Sequence, residues 1–236
     1  MLSHPTATTC ATPLLLGPVG ADRPVPYGHV ELLLIRHALP QRVENTDGPA
    51  DPGLTDVGRE QARRLAAWLA GEEIDHVAAS PKLRAVETAE PLAAERGLEI
   101  ETVEGFSEID SGSTTYIPYE QMRRERHEIW RHLRSGRWRE AGFTDPELFR
   151  DDVAKTFAAW EAEHSDQTVA VVAHSGTVNA LVSHLLGIEN VFFFSLEYTG
   201  LCRLRRNLLG GMHVSSLNET AHLHTARDTL DPLPAP

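Results

Sequence analysis

The chain has 236 residues, of which 41% are hydrophobic and 24% are charged, and its formal net charge is −12. This length and apolar content predict one domain with a full hydrophobic core. The negative charge argues against a general surface for nucleic acid or anionic membranes, and no run approaches the roughly 20 apolar residues that span a bilayer.

The ends of the chain differ in composition from its middle. Five prolines fall within residues 1–28, and a proline-rich hexapeptide closes the chain. We therefore predict a flexible arm at 1–28, a single folded domain at 29–228 and a flexible tail at 229–236. Two cysteines, Cys10 and Cys202, are too few for a disulfide framework, which favours a reducing compartment and a cytoplasmic protein.

Within the predicted domain, strand-like and helix-like hydrophobic periods alternate. A buried strand is predicted at 31–35 and ends at Arg36 and His37. Helices are predicted after Thr55, which is a plausible N-cap, and after Ser80, where Pro81 would occupy the first helical position. The remaining elements are predicted strands at 75–79, 98–103 and 168–173, a helix after Gly176, a mostly helical insertion at about 113–166, and two or three strands within 191–217.

This alternation predicts an α/β fold. We expect a three-layer α/β/α sandwich with a mostly parallel central sheet and a helical cap insertion. The carboxyl ends of parallel strands meet at one edge of such a sheet, so the side chains that follow them lie together there.

Four side chains with affinity for anions are predicted at that edge. Arg36 and His37 follow the first strand, Arg84 lies near the start of a helix, and His174 follows a later buried strand. Guanidinium groups pair with phosphate oxygens, and a neutral imidazole can attack phosphorus to form a phosphohistidine. This chemistry requires no metal, and no cofactor is expected.

The sequence resembles the histidine phosphatase superfamily, which also contains the cofactor-dependent phosphoglycerate mutases. Five segments carry the resemblance, in the order in which the family has them, between about residues 30 and 187. They are Leu33-Leu34-Ile35-Arg36-His37, Leu54-Thr55-Asp56-Val57-Gly58-Arg59-Glu60-Gln61-Ala62, Ala79-Ser80-Pro81-Lys82-Leu83-Arg84-Ala85-Val86-Glu87-Thr88-Ala89, Phe106-Ser107-Glu108-Ile109-Asp110-Ser111-Gly112 and Val172-Ala173-His174-Ser175-Gly176.

The resemblance implies a role for each matching residue and a phosphoglycerate mutase-like fold. His37 matches the nucleophile that becomes phosphorylated, and Glu108 matches the proton donor of the phosphatases. Arg36, Arg84 and His174 match the residues that bind the phosphoryl oxygens. The implied activity is metal-independent hydrolysis of small phosphate monoesters through a phosphohistidine on His37.

Structural interpretations remain open for three of these residues. Arg84 could form a surface ion pair with Glu87 on the same helix, and His174 could be a core histidine. Glu108 has acidic rivals in Glu104 and Asp110. The ten other histidines of the chain show no reliable ligand spacing and are interpreted as non-catalytic.

The segment after His37 departs from the family pattern. The usual glycine is replaced by Ala38, and Leu39-Pro40 lacks the polar side chains that often contact phosphate in this family. The asparagine, aromatic and tryptophan pattern of the mutases is also missing, so a phosphatase is favoured. The alternatives are phosphoglycerate mutase-type phosphoryl transfer and a catalytically weak module that binds phosphate or a phosphoprotein.

The sequence leaves the physiological substrate and the oligomeric state open. Gln41 or Arg42 could replace the missing phosphate contact, and the arginines of the predicted cap could bind the substrate and contribute to specificity. These cap residues are Arg123, Arg124 and Arg126. An exposed edge strand within 191–207 would be able to pair two subunits into a homodimer.

Overall fold

A six-stranded sheet runs through the middle of the molecule. The computed structural model describes residues 31–110, 112–164, 167–206 and 211–224, so the predicted arm at 1–28 and tail at 229–236 lie outside the described residues. The strands are β1 (Glu31–Arg36), β2 (His76–Ala79), β3 (Ile100–Thr102), β4 (Val169–Ala173), β5 (Leu201–Arg206) and β6 (Met212–Glu219). Their order across the sheet is β3-β2-β4-β1-β5-β6.

The sheet is parallel over four strands and antiparallel over the last two. β1 and β2 both pair in parallel with β4, and β2 pairs in parallel with β3. β5 pairs antiparallel with both β1 and β6. The predicted mostly parallel sheet is confirmed, and the carboxyl ends of β2, β4 and β1 lie side by side.

Helices cover both faces of this sheet. They are α1 (Asp56–Trp68), α2 (Leu83–Arg96), α3 (Tyr119–Glu125), α4 (Glu128–Arg134), α5 (Pro146–Glu163) and α6 (Ser175–Leu186). Leu33 and Ile35 of β1 pack with the buried residues of α1 and α2. Leu32 and Leu34 point to the opposite face, where they join a core with α5 and α6. This alternation follows from the two-residue period of a strand and produces the predicted three-layer sandwich.

Two helix starts test the capping predictions. The Thr55 hydroxyl accepts a hydrogen bond of 3.0 Å from the backbone N–H of Gly58, so Thr55 is the N-cap of α1, as predicted. The prediction that Ser80 caps α2 is wrong, because this helix begins at Leu83. The first helical N–H, that of Leu83, donates instead to the Asp51 carboxylate at 2.9 Å, and Ser80 is used in the site described below.

The segment predicted to be mostly helical contains α3, α4, a short 3₁₀ helix (Arg139–Ala141) and α5. α5 buries Phe149, Val153, Phe157 and Trp160 in the core that it shares with α6. Because of this packing, α5 forms part of one layer of the sandwich.

The prediction of an exposed edge strand within 191–207 is wrong. β5 is the strand in that range, and it is hydrogen-bonded on both sides, so the edges of the described sheet are β3 and β6. A homodimer built on that strand therefore loses its structural basis. Within the described residues, no helix combines the length and apolar character needed to cross a membrane.

Candidate active site

The two predicted site histidines lie next to each other at the carboxyl edge of the sheet. Arg36 at the end of β1 is in register with Ala173 at the end of β4, so His37 and His174 leave neighbouring strands at the same level. Their ring centroids are 5.1 Å apart with an interplanar angle of 63°. The register of two buried strands thus sets the distance between the two imidazoles.

His37 is held in one tautomer by the backbone carbonyl of the next residue. Its side chain is buried, and the residue is 2% exposed. Nδ1 lies 2.8 Å from the carbonyl oxygen of Ala38. Because a carbonyl oxygen can only accept, Nδ1 carries the proton and the lone pair is on Nε2. Burial, with the nearby charges of Arg84 and Arg36, holds the pKa of His37 well below its usual range, so the ring is neutral at pH 7.

Side chains of two helices, α1 and α2, form hydrogen bonds with the backbone that follows His37. Thr88 of α2 accepts a hydrogen bond from the Ala38 N–H at 2.9 Å. The Leu39 N–H donates to the Gln61 side chain at 2.9 Å, and the Leu39 carbonyl accepts from the Thr55 hydroxyl at 3.0 Å. The sequence segment 54–62 therefore positions the main chain beside the nucleophile candidate.

Gly58 belongs to the same arrangement. A Cβ atom at this position would overlap the carbonyl group of Leu39. Glycine is therefore required for the close approach of α1 to the segment that follows His37. The unusual residues Leu39-Pro40 contribute main-chain contacts here, and Pro40 forms an isolated bridge with Leu54.

Arg36 is enclosed by residues from distant parts of the chain. Its guanidinium carbon lies 3.8 Å from the centroid of the Tyr198 ring, and Nη1 donates to Glu120 of α3 at 3.1 Å. The Tyr198 hydroxyl donates to the other Glu120 oxygen at 2.9 Å. Arg36 Nε is buried and has no hydrogen-bond partner. The guanidinium plane is thus fixed while one donor stays available.

Arg84 is a buried cation rather than half of a surface ion pair. The residue is 1% exposed, and its Nε and Nη1 atoms have no hydrogen-bond partner. Its contacts to Asp51 and Asp110 are both 3.9 Å, beyond hydrogen-bond distance. Glu87, the alternative partner, pairs with Arg59 instead. A buried guanidinium with unused donors is costly unless an anion binds to it.

Glu108 lies against the start of α6. Its two carboxylate oxygens accept hydrogen bonds from the backbone N–H groups of Ile109 at 2.9 Å and Gly176 at 3.0 Å. Burial, together with the negative charge of Asp110, raises the pKa of Glu108 to about 7 despite these bonds. A carboxyl group with this pKa exchanges protons readily at neutral pH.

The acidic rivals of Glu108 are placed differently. Glu104 is exposed and lies in a short 3₁₀ helix (Glu104–Phe106). Asp110 lies on the side of Arg84, and burial raises its pKa above the usual range although Arg84 opposes this. Of the three acids, Glu108 is the one that contacts the N-terminus of α6 and has a pKa of about 7.

His174 is fully buried at the N-terminus of α6. Its Nε2 lies 2.8 Å from the Ser80 hydroxyl, whereas Nδ1 is buried without a partner. Burial, Arg84 and His37 hold the pKa of His174 well below its usual range. The ring is therefore neutral, and Ser80, which does not cap its helix, orients it.

Sequence reasoning missed the residues that surround the two arginines. Tyr198 and Glu120 enclose Arg36, and the Tyr116 ring lies 4.4 Å from the guanidinium carbon of Arg84. Burial raises the pKa of Tyr116 to about 12, so its hydroxyl stays protonated. No motif marks these positions, because each acts through a contact between segments far apart in the chain.

The other residues considered as substrate contacts are either paired with acidic side chains or exposed to solvent. Arg42 is paired with Glu44 at 2.7 Å and with Glu125 at 2.8 Å. Gln41 is exposed and donates to the Leu54 carbonyl at 3.4 Å. The cap arginines Arg123, Arg124 and Arg126 are exposed.

The chain is similar to known proteins in both sequence and structure. The family model described as "Histidine phosphatase superfamily (branch 1)" matches residues 32–220. Phosphoserine phosphatase 1 of Hydrogenobacter thermophilus is 28% identical over 211 residues, which cover 82% of this chain and 94% of that protein. Adenosylcobalamin/alpha-ribazole phosphatase of Escherichia coli is 28% identical over 177 residues, which cover 71% of this chain and 86% of that protein.

A mutase is among the similar proteins as well. The 2,3-bisphosphoglycerate-dependent phosphoglycerate mutase of Methylorubrum extorquens is 29% identical over 163 residues, covering 64% of this chain and 75% of that protein. Among solved structures, a phosphoserine phosphatase mutant of Entamoeba histolytica in complex with phosphoserine has a TM-score of 0.66 and 23% identity, covering 82% of this chain and 99% of that one. This structural likeness supports the fold.

Proposed function

This chain belongs to the histidine phosphatase superfamily (branch 1), and we propose that it is a phosphatase that hydrolyses phosphate monoesters through a phosphohistidine on His37. The observation that carries this proposal is the grouping of a neutral His37 with two buried arginines that have unused donors. Such donors stabilise the charge on a transferring phosphoryl group.

In the first half-reaction, His37 Nε2 attacks phosphorus and the bond from phosphorus to the ester oxygen breaks. Glu108, in its protonated form, gives its proton to the departing oxygen. Arg36 and Arg84 bind the phosphoryl oxygens. With the Ser80 hydroxyl donating to Nε2 of His174, Nδ1 of that ring carries a proton and donates to the same group.

In the second half-reaction, water replaces the alcohol. The carboxylate of Glu108 takes a proton from this water, which attacks phosphorus while the bond to His37 Nε2 breaks. Inorganic phosphate leaves, and Glu108 is again protonated. One carboxyl group can serve both steps because its pKa, about 7, lies close to neutral pH.

We infer that the substrates are small alkyl phosphates. An alkoxide is a poor leaving group and gains most from a proton donor, which Glu108 would supply. Relatives bear names that refer to phosphoserine, alpha-ribazole and glucosyl-3-phosphoglycerate. Phosphoserine, alpha-ribazole phosphate, glucosyl-3-phosphoglycerate and 3-phosphoglycerate would form the test panel. Their ranking by kcat/KM would identify the preferred alcohol. Uniformly negligible turnover across alkyl esters would contradict this substrate class.

The covalent step is tested by trapping. Protein mixed with a ³²P-labelled ester and quenched in alkaline detergent should retain label that acid then releases, because a phosphohistidine is stable in base and labile in acid. His37→Ala should retain none, whereas His213→Ala, on an exposed position of β6, should label like the wild type. Equal labelling of His37→Ala and wild type would exclude His37 as the nucleophile.

Phosphoglycerate mutase activity is the second candidate, since relatives with that name match this chain. Such an enzyme would interconvert 2- and 3-phosphoglycerate and would depend on a bisphosphoglycerate primer. A phosphatase releases inorganic phosphate without the primer. Measuring inorganic phosphate and the isomerised phosphoglycerate, with and without primer, separates the two activities. If neither product forms, a protein that binds phosphate without useful catalysis is favoured.

A further inference from the structure

Two histidines and a glutamate converge at the end of the sheet opposite the candidate active site. His76 begins β2, Glu101 lies in β3, and His164 follows α5. Across the described ranges, 31–110, 112–164, 167–206 and 211–224, this is the only group of three or more His, Cys, Asp or Glu residues with ligand atoms within 4.8 Å of one another. We propose that His76, Glu101 and His164 bind a divalent transition-metal ion such as Zn²⁺, with solvent completing the coordination.

The distances between the ligand atoms suit such an ion. Nε2 of His76 lies 2.7 Å from Oε2 of Glu101, and Nε2 of His164 lies 3.6 Å from the same oxygen. Ligand atoms around a tetrahedral Zn²⁺ are separated by about 3.3 Å, which follows from bond lengths of about 2.0–2.1 Å. All three ligand atoms already lie within 4.8 Å of one another, so small side-chain movements would bring them to these separations.

The orientation of His164 favours a cation at this place. Its Nδ1 lies 2.8 Å from the carbonyl oxygen of Trp160, so Nδ1 carries the ring proton. In the neutral ring, the lone pair on Nε2 then faces the Glu101 carboxylate, and two acceptors that face each other repel unless a proton or a metal ion lies between them. A histidine that ligates a metal commonly donates its other N–H to a backbone carbonyl in this way.

Trp160 supports the group from a second direction. Its indole N–H donates to Oε2 of Glu101 at 2.9 Å, and its ring stacks on His164 with centroids 4.2 Å apart. Trp160 thus fixes the orientation of the Glu101 carboxylate, whose Oε2 also lies 2.7 Å from Nε2 of His76.

The group is accessible and separate from the phosphoryl site. The three side chains are partly exposed, so an ion can enter from solvent. His76, at the start of β2, lies four residues before Ser80, a distance of about 13 Å along the chain. A bound ion would join β2 and β3 to the end of α5, and we therefore expect a stabilising rather than a catalytic role.

Binding of Zn²⁺ alone to the purified full chain tests the proposal. Isothermal titration calorimetry should show one saturable site that binds one Zn²⁺ ion per chain. His164→Gln and Glu101→Gln should each weaken the affinity for Zn²⁺ at least about tenfold. His213→Gln removes an exposed imidazole elsewhere, and His37→Ala removes one from the active site. Both should leave the affinity unchanged.

A local probe distinguishes this group from other histidines. Zn²⁺ should change the fluorescence of Trp160, and Trp160→Phe should lose that change. The melting temperature should rise with Zn²⁺ in the wild type but not in His164→Gln, whose far-UV circular dichroism and metal-free melting temperature establish that it folds. The absence of saturable binding, or affinity that is equal in His164→Gln, would overturn the proposal and leave a histidine–glutamate pair that shares a proton.

Discussion

The carboxylate of Glu108 occupies the space that a Cβ atom on residue 176 would need. The N–H of Gly176 donates to Oε2 of Glu108 at 3.0 Å, and a Cβ atom at position 176 would overlap Oε1. The proton donor candidate and the first turn of α6 can approach this closely only because residue 176 is glycine.

Gly176→Ala should therefore displace Glu108 without unfolding the protein, since alanine is favourable in a helix. A displacement of about 1 Å at a catalytic group can cost on the order of 100-fold in rate. We expect kcat for an alkyl phosphate to fall at least about tenfold with an unchanged melting temperature. In a Glu108→Ala background the same substitution should have no further effect on kcat. Additive losses would contradict the contact.

The pH dependence of the first half-reaction should follow Glu108. Its pKa is raised to about 7, so the protonated donor predominates below pH 7 and is lost as the pH rises through that value. For an alkyl phosphate, kcat/KM should fall above about pH 7. For an aryl phosphate with a good leaving group, the decline should be weak. Glu108→Gln should lower kcat for the alkyl ester by about 10²–10⁴-fold and remove this decline. A decline of equal size for both esters would contradict the role of Glu108.

Arg84→Ala should cost about 2–4 kcal/mol of transition-state stabilisation, because the guanidinium is buried with donors free for the phosphoryl group. The measurement is kcat/KM with an alkyl phosphate. Arg63→Ala is the matched control, since Arg63 forms an exposed ion pair with Glu60 on α1 and should change kcat/KM by less than about twofold. Equal effects of the two substitutions would contradict phosphoryl binding by Arg84.

Gly58→Ala should lower both stability and activity. The added methyl group overlaps the Leu39 carbonyl, and overpacking of this kind costs about 1–3 kcal/mol of unfolding free energy. The strain is transmitted to the segment beside His37, so kcat should fall as well. Gly71→Ala, where the methyl group meets no atom within 4 Å, is the control and should leave both unchanged. Denaturant unfolding and steady-state kinetics provide the measurements.

The Tyr198 ring, more than its hydroxyl, should matter for Arg36. Tyr198→Phe keeps the ring 3.8 Å below the guanidinium and removes only the bond to Glu120. Tyr198→Leu removes the ring. Cation–π contacts in desolvated sites contribute about 2 kcal/mol. We expect kcat/KM to fall less than about threefold in Tyr198→Phe and about tenfold or more in Tyr198→Leu. The reverse order would assign the effect to the hydroxyl.

The residues that sequence patterns could find are those whose role depends on their neighbours in the chain. Strand ends predicted the positions of His37 and His174, and the motif around Arg84 predicted its anion-binding chemistry. Ser80 was misassigned because a serine followed by proline has the local pattern of a helix cap. Its hydroxyl instead lies 2.8 Å from a ring that follows another strand, a contact that no local pattern encodes.

The sequence by itself determined the fold class and the family and predicted the five candidate site residues, because hydrophobic period and short motifs are local properties. Only the tertiary structure decided which atoms of those residues stay free, how Glu120 and Tyr198 enclose Arg36, and that His76, Glu101 and His164 meet. These features depend on strand register and on the packing of distant helices, which bring together side chains that are unrelated along the chain.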